Sequence, residues 1–174
     1  AIGCFSVGLY NTFKQAGFAA DFTAGHSFGE LTALWAAGVL NDTDYMMLAR
    51  SRGQAMAAPG DENFDAGTMI AVVGDPVKVA DDIKDIKDIS IANYNSNNQV
   101  VVAGVTSQIE IAMSELKTKG HKVVPLPVSA AFHTPLVGHA QKPFAKAIDS
   151  AKFTKPSIPV FANGTGKAHP NKAA

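Results

Sequence analysis

The sequence is poor in the features that mark secreted, membrane-embedded and nucleic-acid-binding proteins. Its 174 residues include one cysteine, Cys4, so no disulfide can form within the chain, and we expect a reducing, cytoplasmic location. No apolar run approaches the length of a membrane span, and no basic segment precedes an apolar one as in a secretory signal. Lysine plus arginine and aspartate plus glutamate number 15 each, without a basic stripe, which argues against nucleic acid as a partner.

Motifs for metals and nucleotides are also lacking. One cysteine and five scattered histidines do not make a zinc site, and Gly164-Thr165-Gly166 is too short for a phosphate-binding loop. We therefore predict no metal and no cofactor bound by this chain itself. The acidic run Asp81–Asp88, interrupted by lysines, is interpreted as a solvated helix face.

The stretch richest in chemical information is Thr23-Ala24-Gly25-His26-Ser27-Phe28-Gly29-Glu30. A short apolar strand ends at Ala24, and an apolar helix pattern follows to about Ala37, so Ser27 falls on the strand-to-helix turn called a nucleophile elbow. The flanking glycines allow a tight turn, and the first helical N–H groups, beginning at Phe28, would face a developing oxyanion. A chance G-x-S-x-G in a loop is the alternative.

The rest of the chain predicts an α/β fold with an insert. Helix patterns end near Gly17 and Ala57. The apolar pattern then changes and predicts a strand (68–73), a helix (76–86), two strands (89–94 and 99–104), a helix (106–120) and a strand (121–128). This β-α-β-β-α-β order is the ferredoxin-like unit. We predict a large α/β subdomain with the elbow at 1–62, the ferredoxin-like small subdomain at 63–128, and a return to the large subdomain at 129–174, with a helix at 139–151 and a short strand at 158–162.

A nucleophilic serine needs a base, and His133 is the favoured candidate. It lies in Ala131-Phe132-His133-Thr134-Pro135, a loop where the chain returns from the insert, although a structural role is the alternative. His26 is adjacent to Ser27 and is expected to orient the turn. The remaining histidines are expected to be exposed or structural: His121, His139 and His169.

Arg52 lies on a helix pattern with apolar neighbours at Leu48 and Met56, so its guanidinium should be partly buried and in need of an anion. That anion could be a substrate carboxylate held in a bidentate clamp, or an internal acid such as Asp44 or Glu30. Composition and spacing leave both possibilities open.

Several stretches occur in a characteristic order: Gly25-His26-Ser27-Phe28-Gly29-Glu30, Arg50-Ser51-Arg52-Gly53-Gln54-Ala55-Met56, Asn93-Tyr94-Asn95-Ser96 with Gln99–Gly104, Phe132-His133-Thr134-Pro135 and Asn163-Gly164-Thr165-Gly166. Together they resemble the malonyl-CoA:acyl-carrier-protein transacylase family. The similarity is greatest to an acyltransferase domain of a polyketide or polyunsaturated fatty acid synthase. In that family an α/β-hydrolase-like subdomain carries a ferredoxin-like insert.

The resemblance implies a role for each matching residue. Ser27 is the nucleophile, His133 the general base and acid, Arg52 the partner of the malonyl carboxylate, and the Phe28 N–H one donor of the oxyanion hole. At further positions it implies supporting or cleft-lining residues: His26, Asn95 and Asn163. The family uses a Ser–His dyad without an acid.

The chain departs from the family pattern in two ways. The family's first strand and its C-terminal segment have no counterpart, so we expect the chain to be part of a longer domain. Phe132 agrees with malonyl over methylmalonyl selection, whereas Ala130 departs from the His-Ala-Phe-His pattern of polyketide acyltransferases.

The implied activity is transfer of a malonyl group from malonyl-CoA to the phosphopantetheine thiol of an acyl carrier protein, with other synthase domains such as a ketosynthase in cis. One alternative is an esterase or thioesterase. That class expects an acid between serine and histidine, and the aspartates of the insert are poor candidates: Asp81, Asp82 and Asp85. A non-catalytic docking domain of a megasynthase is the other alternative.

Overall fold

The computed structural model describes residues 1–57, 59 and 64–170. The elements are, in chain order, α1 (Ile2–Gln15), β1 (Thr23–Ala24), α2 (Gly29–Ala36), α3 (Asp42–Ala55), β2 (Thr68–Val73), α4 (Pro76–Ile83), β3 (Ile89–Ser96), β4 (Gln99–Gly104), α5 (Thr106–Thr118), β5 (Lys122–Pro125), a 3₁₀ helix (Pro135–Ala140), α6 (Gln141–Ser150) and β6 (Val160–Phe161). The chain divides into two compact units, Ala1–Ala55 with Lys142–Ala174, and Met56–Gln141. The second unit extends beyond the predicted insert of 63–128 at both ends. Among the described residues, no helix is long and apolar enough to cross a bilayer.

The first unit is built on a short parallel strand pair. β1 and β6 lie side by side, with Thr23 opposite Val160 and Ala24 opposite Phe161. The Thr23 hydroxyl is buried and donates to the Ala33 carbonyl of α2 at 3.0 Å, which fixes the helix against the strand that precedes it. Because parallel strands end at the same edge of a sheet, the segments after Ala24 and after Phe161 emerge together.

The core of the first unit lies between α2, α3 and α6. Tyr45 and Leu48 of α3 are fully buried with Leu40, and the Tyr45 hydroxyl is 3.0 Å from the Thr32 hydroxyl of α2. Apolar side chains of α6 pack on the same cluster, Phe144 and Ala147 among them. This packing holds α3, and with it Arg52, at a defined place relative to α2.

The second unit has the predicted β-α-β-β-α-β order. Its sheet runs β3-β4-β2-β5 with every neighbouring pair antiparallel. Alternate residues of the central strands point to opposite faces. One face packs against α4 and α5 through the residues Ile70, Val72, Val79, Val100, Val102, Ile109, Ala112 and Leu116. The other face, through Met69, Val101 and Ala103, packs on Ala131 and Leu136, so the segment that carries His133 is attached to this sheet.

Several predicted boundaries were wrong because local chemistry ends elements early. β5 stops at Pro125 because the prolines at 125 and 127 cannot donate ladder hydrogen bonds. The segment before α6 is a 3₁₀ helix that begins at Pro135 and is capped by the Thr134 hydroxyl, which accepts from the Leu136 N–H at 3.3 Å. The α-helix predicted from His139 therefore begins at Gln141.

His121 and Asp82 also differ from expectation. The His121 side chain is 5% exposed and its Nε2 lies 2.7 Å from a carboxylate oxygen of Asp82, which is itself 15% exposed. The Lys119 ammonium lies 3.1 Å from the other oxygen. Asp82 is thus not part of a solvated face, and His121 is not exposed, because β5 begins directly beside α4.

Candidate active site

The elbow is formed by a backbone that only small residues can follow. A Cβ built on Gly25 would lie 2.0 Å from the Gly29 carbonyl carbon, so the strand end and the helix start approach too closely for any side chain at 25. A Cβ on Gly29 meets nothing within 4 Å. The sequence pattern contains both glycines, but only position 25 requires a residue without a side chain.

Ser27 adopts φ 54°, in the left-handed region that residues with a Cβ rarely occupy. The amides of Gly29, Glu30 and Leu31 bond the carbonyls of His26, Ser27 and Phe28 at 2.9 to 3.2 Å and start α2. Phe28 itself is the helical N-cap residue, at φ −55° and ψ −32°. Its N–H is among the first amides of α2, and amides at a helix start can donate to an anion.

Arg52 reaches the elbow from α3. Its Nη2 donates to the Ser27 hydroxyl oxygen at 3.5 Å, and its guanidinium carbon lies 5.6 Å from the centre of the Phe28 ring. Partial burial lowers the pKa of Arg52, and the charge of Glu30 opposes that change. Among the described residues, the carboxylates that form ion pairs are those of Asp81 and Asp82, and Arg52 is not a member of these pairs. The Asp44 carboxylate instead accepts from the Asn41 amide and from the Lys152 N–H.

A cavity of about 390 Å³ opens at the shared edge of β1 and β6. His26 contributes from the elbow, and Asn163 contributes from the turn after β6. That turn is closed by the Gly166 N–H, which donates to the Ala162 carbonyl at 2.9 Å. The Asn163 N–H donates to the Glu30 carboxylate at 2.9 Å, so the turn is also fastened to α2.

His133 belongs to the second unit and has the same backbone conformation as Ser27, with φ 63°. Its loop is anchored on both sides. The Ala131 N–H donates to the Ala66 carbonyl at 2.8 Å, and the Thr134 hydroxyl donates to the Ala131 carbonyl at 2.6 Å. An exposed histidine held in a strained conformation by fixed neighbours is a common feature of functional sites.

Asn95 also lies in the second unit, near the end of β3. Its side-chain amide donates to the Gln99 side-chain oxygen at 3.1 Å across its own hairpin, and β3 continues to Ser96, past the predicted end at Tyr94. This contact explains how the hairpin end is held.

The structure therefore places Ser27, Phe28 and Arg52 in one contact group and gives His26 and Asn163 a common cavity, all in the first unit. The sequence suggests Glu30 only as an ion-pair partner of Arg52 and does not indicate that its carboxylate accepts from the Asn163 N–H. Its position three residues after Ser27, on the helix of the elbow, is the signal that could have identified it. The described part of the chain has no cluster of three or more histidine, cysteine, aspartate or glutamate side chains suited to a metal ion.

Comparison with known proteins identifies the family of the chain. The family described as the acyl transferase domain matches residues 1–173. The chain belongs to this family. Relatives of this family carry names that include malonyl CoA-acyl carrier protein transacylases, polyketide biosynthesis proteins and a polyunsaturated fatty acid synthase subunit.

Individual relatives are identical to this chain at about a third to two fifths of the aligned positions. The polyketide biosynthesis protein ThaF of Burkholderia thailandensis is 40% identical over 152 residues, which are 85% of this chain and 13% of that protein. The malonyl CoA-acyl carrier protein transacylase of Bacillus subtilis is 33% identical over 179 residues, covering 97% of this chain and 54% of that protein. The chain thus spans about half the length of this relative and less of the first.

Solved structures show the same fold. A malonyl-transacylase determined in complex with a type II polyketide synthase acyl-carrier protein superimposes with a TM-score of 0.83 at 31% identity, over 94% of this chain and 54% of that one.

Proposed function

We propose that this acyltransferase domain moves a malonyl group from malonyl-CoA to the phosphopantetheine thiol of an acyl carrier protein through an ester on Ser27. The observation that carries the proposal is the position of Arg52. Its guanidinium lies 3.5 Å from the Ser27 hydroxyl oxygen, so a carboxylate near the acylated serine has a cation beside it. The malonyl transacylase of Bacillus subtilis and the carrier-protein complex are relatives that support this substrate and this partner.

In the first half-reaction His133 takes the proton from the Ser27 hydroxyl, and the oxygen attacks the thioester carbonyl of malonyl-CoA. The Phe28 N–H donates to the oxyanion of the tetrahedral intermediate. The carbon–sulfur bond breaks, coenzyme A leaves with the proton that His133 returns, and the malonyl group stays as an ester on Ser27.

The second half-reaction repeats the steps with a new nucleophile. The carrier protein's phosphopantetheine thiol gives its proton to His133 and attacks the ester, and the Ser27 oxygen leaves and regains that proton. Arg52 holds the malonyl carboxylate in both halves, which disfavours an acetyl group because the guanidinium would then be left without its anion. His26, Asn95 and Asn163 are proposed to line the substrate cleft.

The proposed architecture is that of the family, an α/β-hydrolase-like large subdomain with the β-α-β-β-α-β unit as its insert. We propose that the domain binds no cofactor of its own, that coenzyme A enters as the thioester substrate, and that further synthase domains such as a ketosynthase work in the same polypeptide.

Intact-mass measurement tests the proposal. The protein is incubated with malonyl-CoA or with acetyl-CoA, alongside a Ser27→Ala variant. We expect a malonyl-sized gain with malonyl-CoA, little or none with acetyl-CoA, and none in the variant. Equal labelling by both thioesters contradicts the role of Arg52. An ester that forms and is lost in water within the time of turnover indicates a hydrolase instead.

A further inference from the structure

Glu30 contacts the elbow and the turn after β6 at the same time. Its N–H donates to the Ser27 carbonyl at 3.1 Å, which places the residue in the first turn of α2. Its carboxylate accepts from the Asn163 N–H at 2.9 Å, across 133 positions of the chain. Glu30 is half-buried, whereas the hydrogen bond to Asn163 lies at the surface.

The hydrogen bond to Asn163 fixes one wall of the cavity at the shared strand edge. Asn163 is the second residue after β6 and is exposed, so the turn projects beyond the two-residue strand that supports it. The carboxylate of Glu30 is the contact that connects this turn to the helix behind Ser27. Loss of the acceptor should therefore let the turn move without disturbing the core of the first unit.

The charge of Glu30 has a second effect, on Arg52. The guanidinium stacks over Phe28 and touches Ser27, which are two and three positions before Glu30. Burial of the guanidinium disfavours its charged form, and the negative charge of Glu30 favours it. A malonyl carboxylate that binds Arg52 would thus interact with a guanidinium that already interacts electrostatically with Glu30.

We propose that Glu30 is a positioning residue with two separable actions: its oxygen holds the Asn163 turn, and its charge compensates Arg52 and so limits how tightly a substrate carboxylate is bound. The second action rests on the function proposed above. The first depends only on the geometry of the first unit.

Two substitutions separate the actions. Glu30→Gln removes the charge and keeps an oxygen that can accept from the Asn163 N–H, whereas Glu30→Leu removes both at similar size. Each is made in a Ser27→Ala background, so that malonyl-CoA binding is measured by calorimetry without turnover. We expect Glu30→Gln to tighten malonyl-CoA about two- to fivefold, the range typical of a partly exposed charge interaction, and to leave acetyl-CoA binding unchanged.

Amide hydrogen exchange at Asn163 reports the first action. We expect its protection to be kept in Glu30→Gln and lost in Glu30→Leu, while the amides of α3 exchange as in the parent protein. Equal exchange at Asn163 in all three proteins overturns the positioning action. Malonyl-CoA binding that is unchanged or weaker in Glu30→Gln overturns the electrostatic action.

An Arg52→Ala variant in the same background distinguishes failure of this inference from failure of the proposed function. If Arg52→Ala weakens malonyl-CoA and Glu30→Gln does nothing, the clamp stands and the role of Glu30 is wrong. If Arg52→Ala has no effect either, the proposed substrate recognition is wrong, and the Asn163 exchange still decides the positioning action.

Discussion

Ser27 and His133 both occupy the left-handed backbone region, at φ 54° and 63°. For a residue with a Cβ this conformation costs about 1–2 kcal/mol, so the surrounding contacts must stabilise it. At Ser27 those contacts are the parallel strand and the close approach of Gly25 to Gly29. At His133 they are the hydrogen bonds around Ala131 and Thr134. The strained backbone positions are therefore those of Ser27 and His133, the nucleophile and the general base of the proposed mechanism.

Replacing Ser27 with glycine should therefore stabilise the protein relative to replacing it with alanine, by about 1 kcal/mol, because glycine adopts positive φ without the steric cost. Urea or thermal unfolding of Ser27→Gly and Ser27→Ala measures the difference. Ser51 lies within α3, and there the order should reverse, with glycine the less stable by about 1 kcal/mol. The same sign at both sites would argue against strain at Ser27.

Arg52→Ala should lower the rate of malonyl transfer about ten- to a hundredfold, as expected for loss of a hydrogen-bonded ion contact of about 1.5–3 kcal/mol, and should raise the ratio of acetyl to malonyl labelling. Steady-state kinetics with both thioesters give the two numbers. Arg50 lies on the same helix and is exposed, so Arg50→Ala is the matched control and should leave the ratio unchanged. Full malonyl preference in Arg52→Ala would contradict the clamp.

Among the secondary-structure elements, α4 and β5 are joined by the contact between Asp82 and His121. Hydrogen bonding to the His121 side chain is the main cause that lowers the pKa of Asp82, with Lys119 adding to it. A carboxyl group whose pKa is lower in the folded than in the unfolded state stabilises the fold above its unfolded pKa of about 3.9, and the effect disappears as the pH falls through the folded pKa.

The Asp82→Asn variant should accordingly be less stable than the parent at neutral pH, and the difference should shrink below about pH 4. Unfolding in urea at a series of pH values measures it. Asp81 is next to Asp82, and its side chain is 70% exposed in a pair with Lys84, so Asp81→Asn is the control and should show little loss at any pH. A pH-independent difference for Asp82→Asn would mean that the carboxylate charge is not involved.

The sequence predicts the features of the elements that depend on local residue patterns. It does not predict features that depend on contacts with residues far away in the chain. The apolar run Thr68–Val73 predicted β2 with the bounds that the structure has. The burial of His121 depends on Asp82, 39 positions away, and no local pattern indicates it. At the elbow, the motif indicated the turn and the serine, whereas the left-handed φ of Ser27 and the contact of Glu30 with Asn163 required the strand pairing to be known.

At the scale of the whole molecule, an exposed apolar surface lies on and after α1. It includes Ile2, Phe5, Phe13, Phe18 and Phe22, each more than half exposed, and a groove of about 480 Å³ runs beside it. Large contiguous apolar patches are uncommon on the surfaces of soluble monomeric proteins.

We expect an environment-sensitive apolar dye to bind this surface and to fluoresce under conditions where the protein is folded. Phe5→Gln should reduce the signal clearly. Val77 is 77% exposed in the second unit and does not line the groove, so Val77→Gln should leave the signal unchanged. Equal signals from the parent and both variants would show that the dye binds elsewhere.

The pairing of β1 with β6 has a consequence for how the chain reaches its folded state. Thr23 and Val160 are neighbours in the sheet although the whole second unit lies between them in sequence. Contacts so distant in sequence form slowly, because a long loop must close before they stabilise anything, whereas the antiparallel hairpin of β3 and β4 is local. The second unit should therefore collapse early and shorten that loop. The turn that presents Ser27 would then be completed among the last steps of folding, so a partly folded chain would not yet hold Ser27 in its final conformation.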